Sequence, residues 1–222
     1  MTDTTVSAKN LAAAVAIAAD NVRNAGGPFG ALIVAADGSR FEGVNRVTAN
    51  NDPTAHAEVT AIRAACTALG TFDLTGAVLY SSCEPCPMCL ASALWARVSR
   101  VVYASDRYEA AAAGFDDAAF YEYFDGGEAE RSALMPVERV PEAGFDRHEP
   151  FALWARVSRV VFAADRHEAA EAGFDDAAFY DYFEGSEAER SLLMPVERMP
   201  DGGFDRHEPF TLWAGLDTRI EY

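Results

Sequence analysis

Two adjacent segments of this chain are nearly identical. Residues 94–152, which begin LWARVSRVVYASDR, recur as residues 153–211, which begin LWARVSRVVFAADR, with about 47 of the 59 aligned positions identical. Two units are fewer than a stacked repeat protein needs, and neither copy carries a metal-binding motif. We therefore expect one domain at residues 1–152 that includes the first copy. Residues 153–222 then hold the second copy and a terminal segment.

The two copies compete for the same place in that domain. The first copy follows residues 1–93 directly, so its strand is expected to join the sheet. Docking of the second copy instead would cost only about 1 kcal/mol of additional loop-closure entropy, so both arrangements stay open. A copy that does not dock exposes a strand edge, which favours pairing between chains.

The composition limits the class of partner. The chain has 222 residues, half of them apolar, and a formal net charge of −17, most of it in residues 94–222. Binding to a polyanion requires a basic surface, so the acidity favours a small-molecule substrate over nucleic acid. The sequence shows no apolar run long enough to cross a membrane and no secretory signal. Its four cysteines lie in one stretch, and together these features predict a cytoplasmic protein.

Periodicity and turn signals predict alternating helices and strands. An alanine-rich helix at 6–25 is followed by strands at 29–35 and 40–44, which flank the turn residues Asp37 and Gly38. Thr54 is predicted to cap a helix at 55–69. A strand at 77–81, a helix from Pro87 to about 97 and a strand at 98–104 come next, with helical segments at 115–124 and 128–134. This order indicates a sheet with helices packed on its faces.

The strongest chemical signal is His56-Ala57-Glu58, followed by Pro85-Cys86-Pro87-Met88-Cys89. One imidazole and two thiolates supply three ligands to a tetrahedral zinc ion and leave a place for water, as catalytic zinc sites do. Zinc makes that water a nucleophile near neutral pH, and Glu58 is placed to transfer its proton. The pattern H-x-E with P-C-x-x-C is typical of zinc-dependent base deaminases.

Other interpretations of the cysteines remain. Cys86 and Cys89 alone could form a redox pair or be buried side chains without a chemical role. A structural zinc site would need a fourth ligand, for which Cys83 is the candidate. Without that fourth ligand, and with Glu58 beside His56, catalytic zinc is the favoured hypothesis.

Several longer motifs narrow the family. GGPFGA at 26–31, NDPTAHAEVTAIRAAC at 51–66, SCEPCPMC at 82–89 and AGFDD at 113–117 together closely resemble bacterial guanine deaminases of the cytidine-deaminase-like superfamily. The C-terminal residues Glu221 and Tyr222 resemble the end of that family. The resemblance implies an α/β fold, a three-layer α/β/α sandwich with a mixed five-stranded sheet. It also implies hydrolysis of guanine to xanthine and ammonia.

The same resemblance implies a substrate pocket formed by six residues: Phe29, Asn45, Ala57, Trp95, Asp117 and Tyr222. Phe29 would pack on the purine and Asn45 would bind its edge, beside the backbone of Ala57. Asp117 would accept protons from guanine N–H groups. If the second copy docked, Asp176 would replace it.

Trp95 would form a wall of the pocket, and Tyr222 would cover it. The family forms homodimers in which the terminal segment covers the partner's site, so we expect a homodimer, with a domain-swapped arrangement as an alternative. Other candidate functions are deamination of cytosine, an aminotriazine or another small amino-heterocycle, deamination of tRNA adenosine, and an inactive zinc scaffold.

Overall fold

The computed structural model describes residues 3–135, 137–139, 160–162, 167, 170, 177–199 and 202–217. They divide into two compact units. The first contains the described residues up to Asp117 together with those from Met194 onward, and the second lies within 118–193. Within the first unit, the end of the second copy packs with the beginning of the chain. The boundary expected at residue 152 lies outside the described residues.

The first unit is built on a sheet of five strands. They are β1 (Gly30–Val34), β2 (Arg40–Val44), β3 (Val78–Cys83), β4 (Arg100–Ser105) and a strand near the end of the chain, Val196–Arg198. The order is β2-β1-β3-β4 and then Val196–Arg198. β1 is antiparallel to both β2 and β3, whereas β4 is parallel to β3 and to the terminal strand. The predicted mixed five-stranded sheet is confirmed.

The helices of the first unit lie between and beside these strands. They are α1 (Asp3–Arg23), α2 (Val47–Asn50), α3 (Ala57–Leu69), α4 (Pro87–Trp95), α5 (Arg107–Ala112) and a terminal helix, Glu208–Ala214. α2 and α5 were not predicted. Thr54 does not cap α3, because its hydroxyl donates to Asp52 Oδ1 at 2.7 Å and the N-cap residue is His56.

Two glycines allow helices to lie directly against the sheet. A Cβ at Gly30 would lie 2.4 Å from the backbone nitrogen of Ala18 in α1, and one at Gly43 would lie 2.1 Å from the carbonyl oxygen of Ala57 in α3. Distances this short exclude any side chain. Gly43 therefore fixes the approach of α3, the helix that carries Glu58, to β2.

Both copies of the repeat contribute to the first unit. β4 and α5 come from the first copy, which confirms the expectation that the strand of the first copy joins the sheet. The terminal strand comes from the second copy and pairs with β4, with Val101 opposite Val196. Across this pair Arg100 forms an ion pair of 2.7 Å with Glu197. The first unit thus contains the N-terminal part of the first copy, up to Asp117, which we call its front. It also contains the C-terminal part of the second copy, from Met194, which we call its rear.

The second unit contains the complementary halves. It consists of α6 (Ala118–Asp125), α7 (Glu128–Leu134), β5 (Val137–Arg139), β6 (Val160–Phe162), α8 (Ala177–Glu184) and α9 (Glu187–Leu193). We number the terminal strand β7 and the terminal helix α10. The predicted helix at 115–124 begins three residues later than expected, at Ala118.

The repeat is visible in the pairing of the second unit. β5 is parallel to β6 with Val137 opposite Val160. These residues align with Val196 and Val101, so this pair repeats the β7–β4 register with the copies exchanged. Phe124 and Phe183 also occupy equivalent positions, and their rings stack with centroids 5.4 Å apart.

Among the described residues, no helix is both long and apolar enough to cross a membrane.

Candidate active site

The predicted metal ligands lie at the beginnings of two helices. His56 is the N-cap residue of α3, and Cys86 is the N-cap residue of α4, with Pro87 in the first turn. Both residues have extended backbone conformations, and their carbonyl oxygens accept the first hydrogen bonds of their helices, from Thr60 and Leu90. Because the N-terminus of a helix carries partial positive charge, it favours ionised thiols.

The three side chains meet at one point. The ligand atoms of His56, Cys86 and Cys89 all lie within 4.8 Å of one another. His56 Nδ1 is 3.8 Å from Cys86 Sγ and 3.5 Å from Cys89 Sγ. Donors of a tetrahedral zinc ion with ordinary bond lengths are separated by about 3.5–3.8 Å. Both the spacing and the chemistry of these donors therefore fit zinc.

The thiols of the pair differ in acidity. Burial opposes ionisation of Cys86, but the hydrogen bond from Cys89 and the proximity of His56 hold the pKa of the Cys86 thiol well below its usual value. All four cysteines are free thiols. Metal binding requires a deprotonated thiol, so a thiol of lowered pKa beside an imidazole is a suitable pair of ligands.

Glu58 lies beside this cluster. The residue is only 6% exposed, and burial raises the pKa of its carboxyl group. Ser81 Oγ donates to Glu58 Oε1 at 3.0 Å, and Cys89 Sγ lies 3.4 Å from Glu58 Oε2. One oxygen is therefore fixed by the sheet, while the other faces the metal ligands.

The alternative fourth ligand lies apart from the cluster. Cys83 is buried at the end of β3, its Sγ is 3.8 Å from the carbonyl oxygen of Asp106, and burial raises its pKa well above the usual value. Cys66 is on α3 and half-buried. Neither belongs to the group of potential metal ligands found in the described part of the chain, which leaves a three-ligand site.

Asp117 lies within electrostatic range of the metal ligands. It is half-buried, and burial together with the nearby Cys86 raises its pKa to about 7. The negative charge of Asp117 also favours the protonated form of His56. The aspartate of the first copy thus lies within electrostatic range of the cluster, whereas Asp176 lies outside the described residues.

An aromatic cluster adjoins the site. The ring of Phe29 makes edge contacts with Phe115, at 4.9 Å between centroids, and with Phe210, at 5.7 Å. Phe115 also contacts Trp213 at 5.5 Å. These rings connect the GGPFGA and AGFDD motifs to the terminal helix α10.

The other predicted pocket residues have different surroundings. Asn45 is buried, and its Oδ1 accepts from the backbone of Val47 at 3.3 Å, so it ends the hairpin. Ala57 is buried in the first turn of α3. Trp95 ends α4 and is 60% exposed. Tyr222 lies outside the described residues.

Four residues were missed by the sequence analysis: Ser81, Phe115, Phe210 and Trp213. Ser81 had a recognisable signal, because it is a polar residue within an apolar strand near the zinc motif. Phe115 lies inside AGFDD, a motif in which the aspartates are the residues with recognisable chemistry. The contacts of Phe210 and Trp213 depend on long-range docking, for which the sequence has no local signal.

Comparison with known proteins agrees with this geometry. Residues 5–105 match the family model of the cytidine and deoxycytidylate deaminase zinc-binding region. The site and the fold therefore define a zinc-dependent hydrolytic deaminase.

Individual relatives assign the chain to a narrower family within the deaminases. The chain is 48% identical to guanine deaminase of Bacillus subtilis (strain 168) over 142 residues, which are 64% of this chain and 88% of that protein. The X-ray structure of guanine deaminase from Bacillus subtilis superposes with a TM-score of 0.53 at 45% identity, covering 67% of this chain and 88% of that one. A tRNA-specific adenosine deaminase of Agrobacterium fabrum (strain C58) is 46% identical over 76 residues, 34% of this chain and half of that protein. The chain belongs to the guanine deaminase family, as its motifs predicted.

Proposed function

We propose that this protein hydrolyses guanine to xanthine and ammonia. The observation that carries the proposal is the position of Glu58, whose carboxylate is held by Ser81 and faces Cys89. The similarity to guanine deaminase over 88% of that protein supports guanine as the base. His56, Cys86 and Cys89 would hold zinc, which supplies the Lewis acidity that activates water.

Glu58 would carry the protons of the reaction. It would accept a proton from the attacking water and deliver it to the departing amine, so that water is consumed and ammonia is released. The bond from Ser81 to Oε1 keeps the carboxylate in one orientation, which leaves Oε2 for this transfer. Burial of the group excludes bulk water from the exchange.

Asp117 and Phe29 would select the base. Guanine presents N–H donors along one edge, and a half-buried carboxylate is a suitable acceptor for them. The ring of Phe29 offers an apolar face for the purine. Asn45, the backbone of Ala57, Trp95 and Tyr222 would complete the pocket as the family resemblance implies.

The competing substrates are small amino-heterocycles and tRNA. The net charge of −17 opposes binding of a polyanion, which favours a free base. We further propose that the protein is a cytoplasmic homodimer, on the grounds of its family and its free cysteines.

The test is ammonia release by zinc-loaded protein from guanine, cytosine, adenine and ammelide. We expect turnover of guanine, and loss of at least 1,000-fold in the Glu58→Gln variant with its zinc content unchanged. Glu42→Gln, at an exposed glutamate of β2, is the matched control and should keep full activity. Turnover of another base with guanine unused would overturn the assignment of the substrate, and full activity of Glu58→Gln would overturn the role of Glu58.

A further inference from the structure

The terminal helix α10 lies beside the segment that leads to Asp117. Phe210 is 7% exposed and Trp213 is 5% exposed. Phe210 packs in one cluster with Cys83, Ala110 and Phe115, and Trp213 contacts the ring of Phe115. The helix thus touches the AGFDD segment through two large side chains.

The helix itself is anchored on the body of the fold. Arg23 of α1 forms an ion pair of 2.6 Å with Glu208 in the first turn of α10. Just before the helix, His207 Nε2 lies 2.9 Å from Glu109 Oε1 on α5. With anchors on two different helices, α10 presents Phe210 and Trp213 at fixed positions.

Phe115 and Asp117 are separated by one residue in the segment that follows α5. Gly114 turns the chain with φ of +96°, and the amide of Phe115 donates to the carbonyl of Ala110 at 3.0 Å. Phe115 and Asp117 are half-buried, whereas Asp116 between them is exposed. Because only one residue separates Phe115 from Asp117, we expect a displacement of Phe115 to displace Asp117 as well.

We propose that Phe115, Phe210 and Trp213 are positioning residues that set the carboxylate of Asp117 for the purine edge. The inference rests on the proposed function. Phe210 and Trp213 of the second copy would then position Asp117, the hydrogen-bond acceptor that the first copy supplies. If Asp117 binds the purine equally in the ground state and in the transition state, loss of its positioning should raise KM and leave kcat nearly unchanged.

Steady-state kinetics with guanine test the proposal. Trp213→Leu should raise KM about 10-fold with kcat within about 2-fold, whereas Trp213→Phe, which keeps a ring against Phe115, should restore KM. In an Asp117→Asn background, Trp213→Leu should add no further increase, because both changes remove the same interaction. Trp154→Leu, at the aligned position of the first copy, is the matched control.

Hydrogen exchange provides a measurement that needs no activity. The peptide 110–118 can be distinguished by mass from its counterpart in the second copy, since Ala112 aligns with Glu171. Trp213→Leu should accelerate exchange of this peptide while β3 stays protected and zinc content is unchanged.

Two results would overturn the proposal: unaltered exchange of peptide 110–118, or a fall in kcat at constant KM. Absence of guanine turnover by the unmodified protein would refute the proposed function instead, and the exchange result would still decide whether α10 orders this segment.

Discussion

The hydroxyl of Ser105 donates a hydrogen bond of 3.1 Å to the backbone carbonyl of Arg206, 101 residues later in the chain. Ser105 is fully buried at the end of β4. It belongs to the first copy, and Arg206 belongs to the second. The residue that aligns with Ser105 in the second copy is Ala164, which cannot make this bond. The contact therefore favours the first copy's strand in the sheet.

Removal of this hydroxyl should destabilise the first unit. Ser105→Ala leaves a partly buried carbonyl without its donor, and we expect a loss of about 1 kcal/mol in the free energy of unfolding. Ala164→Ser, the reciprocal change in the other copy, should leave stability within about 0.5 kcal/mol. Urea unfolding of both variants measures the difference. Equal effects of the two changes would contradict a specific role for Ser105.

A second difference between the copies favours the rear of the second. A Cβ at Gly202 would lie 1.9 Å from the ring of Phe204, and the first copy has Ala143 at this position. If the C-terminal part of the first copy adopted the same conformation, Ala143 would force the equivalent ring, that of Phe145, to shift. Because Phe204 packs against the cluster around Leu11 and Tyr80, such a shift would disturb the core.

Glu109 joins the two copies electrostatically. Its carboxylate lies 3.0 Å from Arg206 Nη2, 2.9 Å from Arg198 Nη2 and 2.9 Å from His207 Nε2. Partial burial alone would raise the pKa of Glu109. The hydrogen bonds that its carboxylate accepts from Arg206, from the backbone of Asp106 and from His207 outweigh burial and lower the pKa from 4.5 to about 2. The rear of the second copy is thereby attached to α5 of the first.

This cluster predicts a specific pH dependence. A carboxyl whose pKa is lowered on folding stabilises the protein above its unfolded value of about 4.5, and that contribution is lost as pH falls towards 2. Glu109→Gln should cost on the order of 2 kcal/mol at pH 7. The difference from the unmodified protein should shrink between about pH 4.5 and 2. Unfolding curves across this range test it, with Glu168→Gln as the aligned control. A difference that does not depend on pH would exclude the ionic contribution.

Short-range patterns predicted the metal centre well. His56, Cys86 and Cys89 are brought together because each of the two motifs lies at the start of a helix. The helix starts are marked in the sequence by Pro87 and by the polar segment before α3. The alternation of elements predicted a sheet with helices packed on its faces, whereas its mixed, five-stranded form was implied by the family resemblance. These features depend on local propensity and on a spacing of a few residues.

The partition of the repeat could not be predicted in the same way. Both copies contain the residues of β4 and β7, so hydrophobic pattern alone does not distinguish front from rear. The arrangement depends on single differences between the copies. Ser105 has its partner 101 residues later in the chain, and Gly202 adjoins Phe204, which packs on the distant cluster around Leu11 and Tyr80. Loop entropy was too small to decide between the copies.

Zinc binding should depend on the three clustered ligands and not on Cys83. Cys86→Ala removes a thiolate, and we expect the bound zinc to fall from about one per chain to near zero, together with activity. Cys83→Ala should retain zinc, because its sulfur lies outside the cluster. Metal analysis after dialysis against a weak chelator gives the result. Loss of zinc from the Cys83 variant at unchanged thermal stability would instead support a structural zinc site with Cys83 as its fourth ligand.

The aspartates of the two copies should differ in their effect on catalysis. Asp117 is within electrostatic range of Cys86 and His56, so Asp117→Asn replaces an acceptor with a group that is also a donor. We expect kcat/KM for guanine to fall about 100-fold or more, since a mispaired polar group in a binding site is costly. Asp176→Asn makes the same chemical change at the aligned position and should leave kcat/KM within about 2-fold. Because the two variants have the same composition and charge, the comparison isolates the position of the carboxylate. A larger loss in the Asp176 variant would mean that the second copy supplies the acceptor in solution.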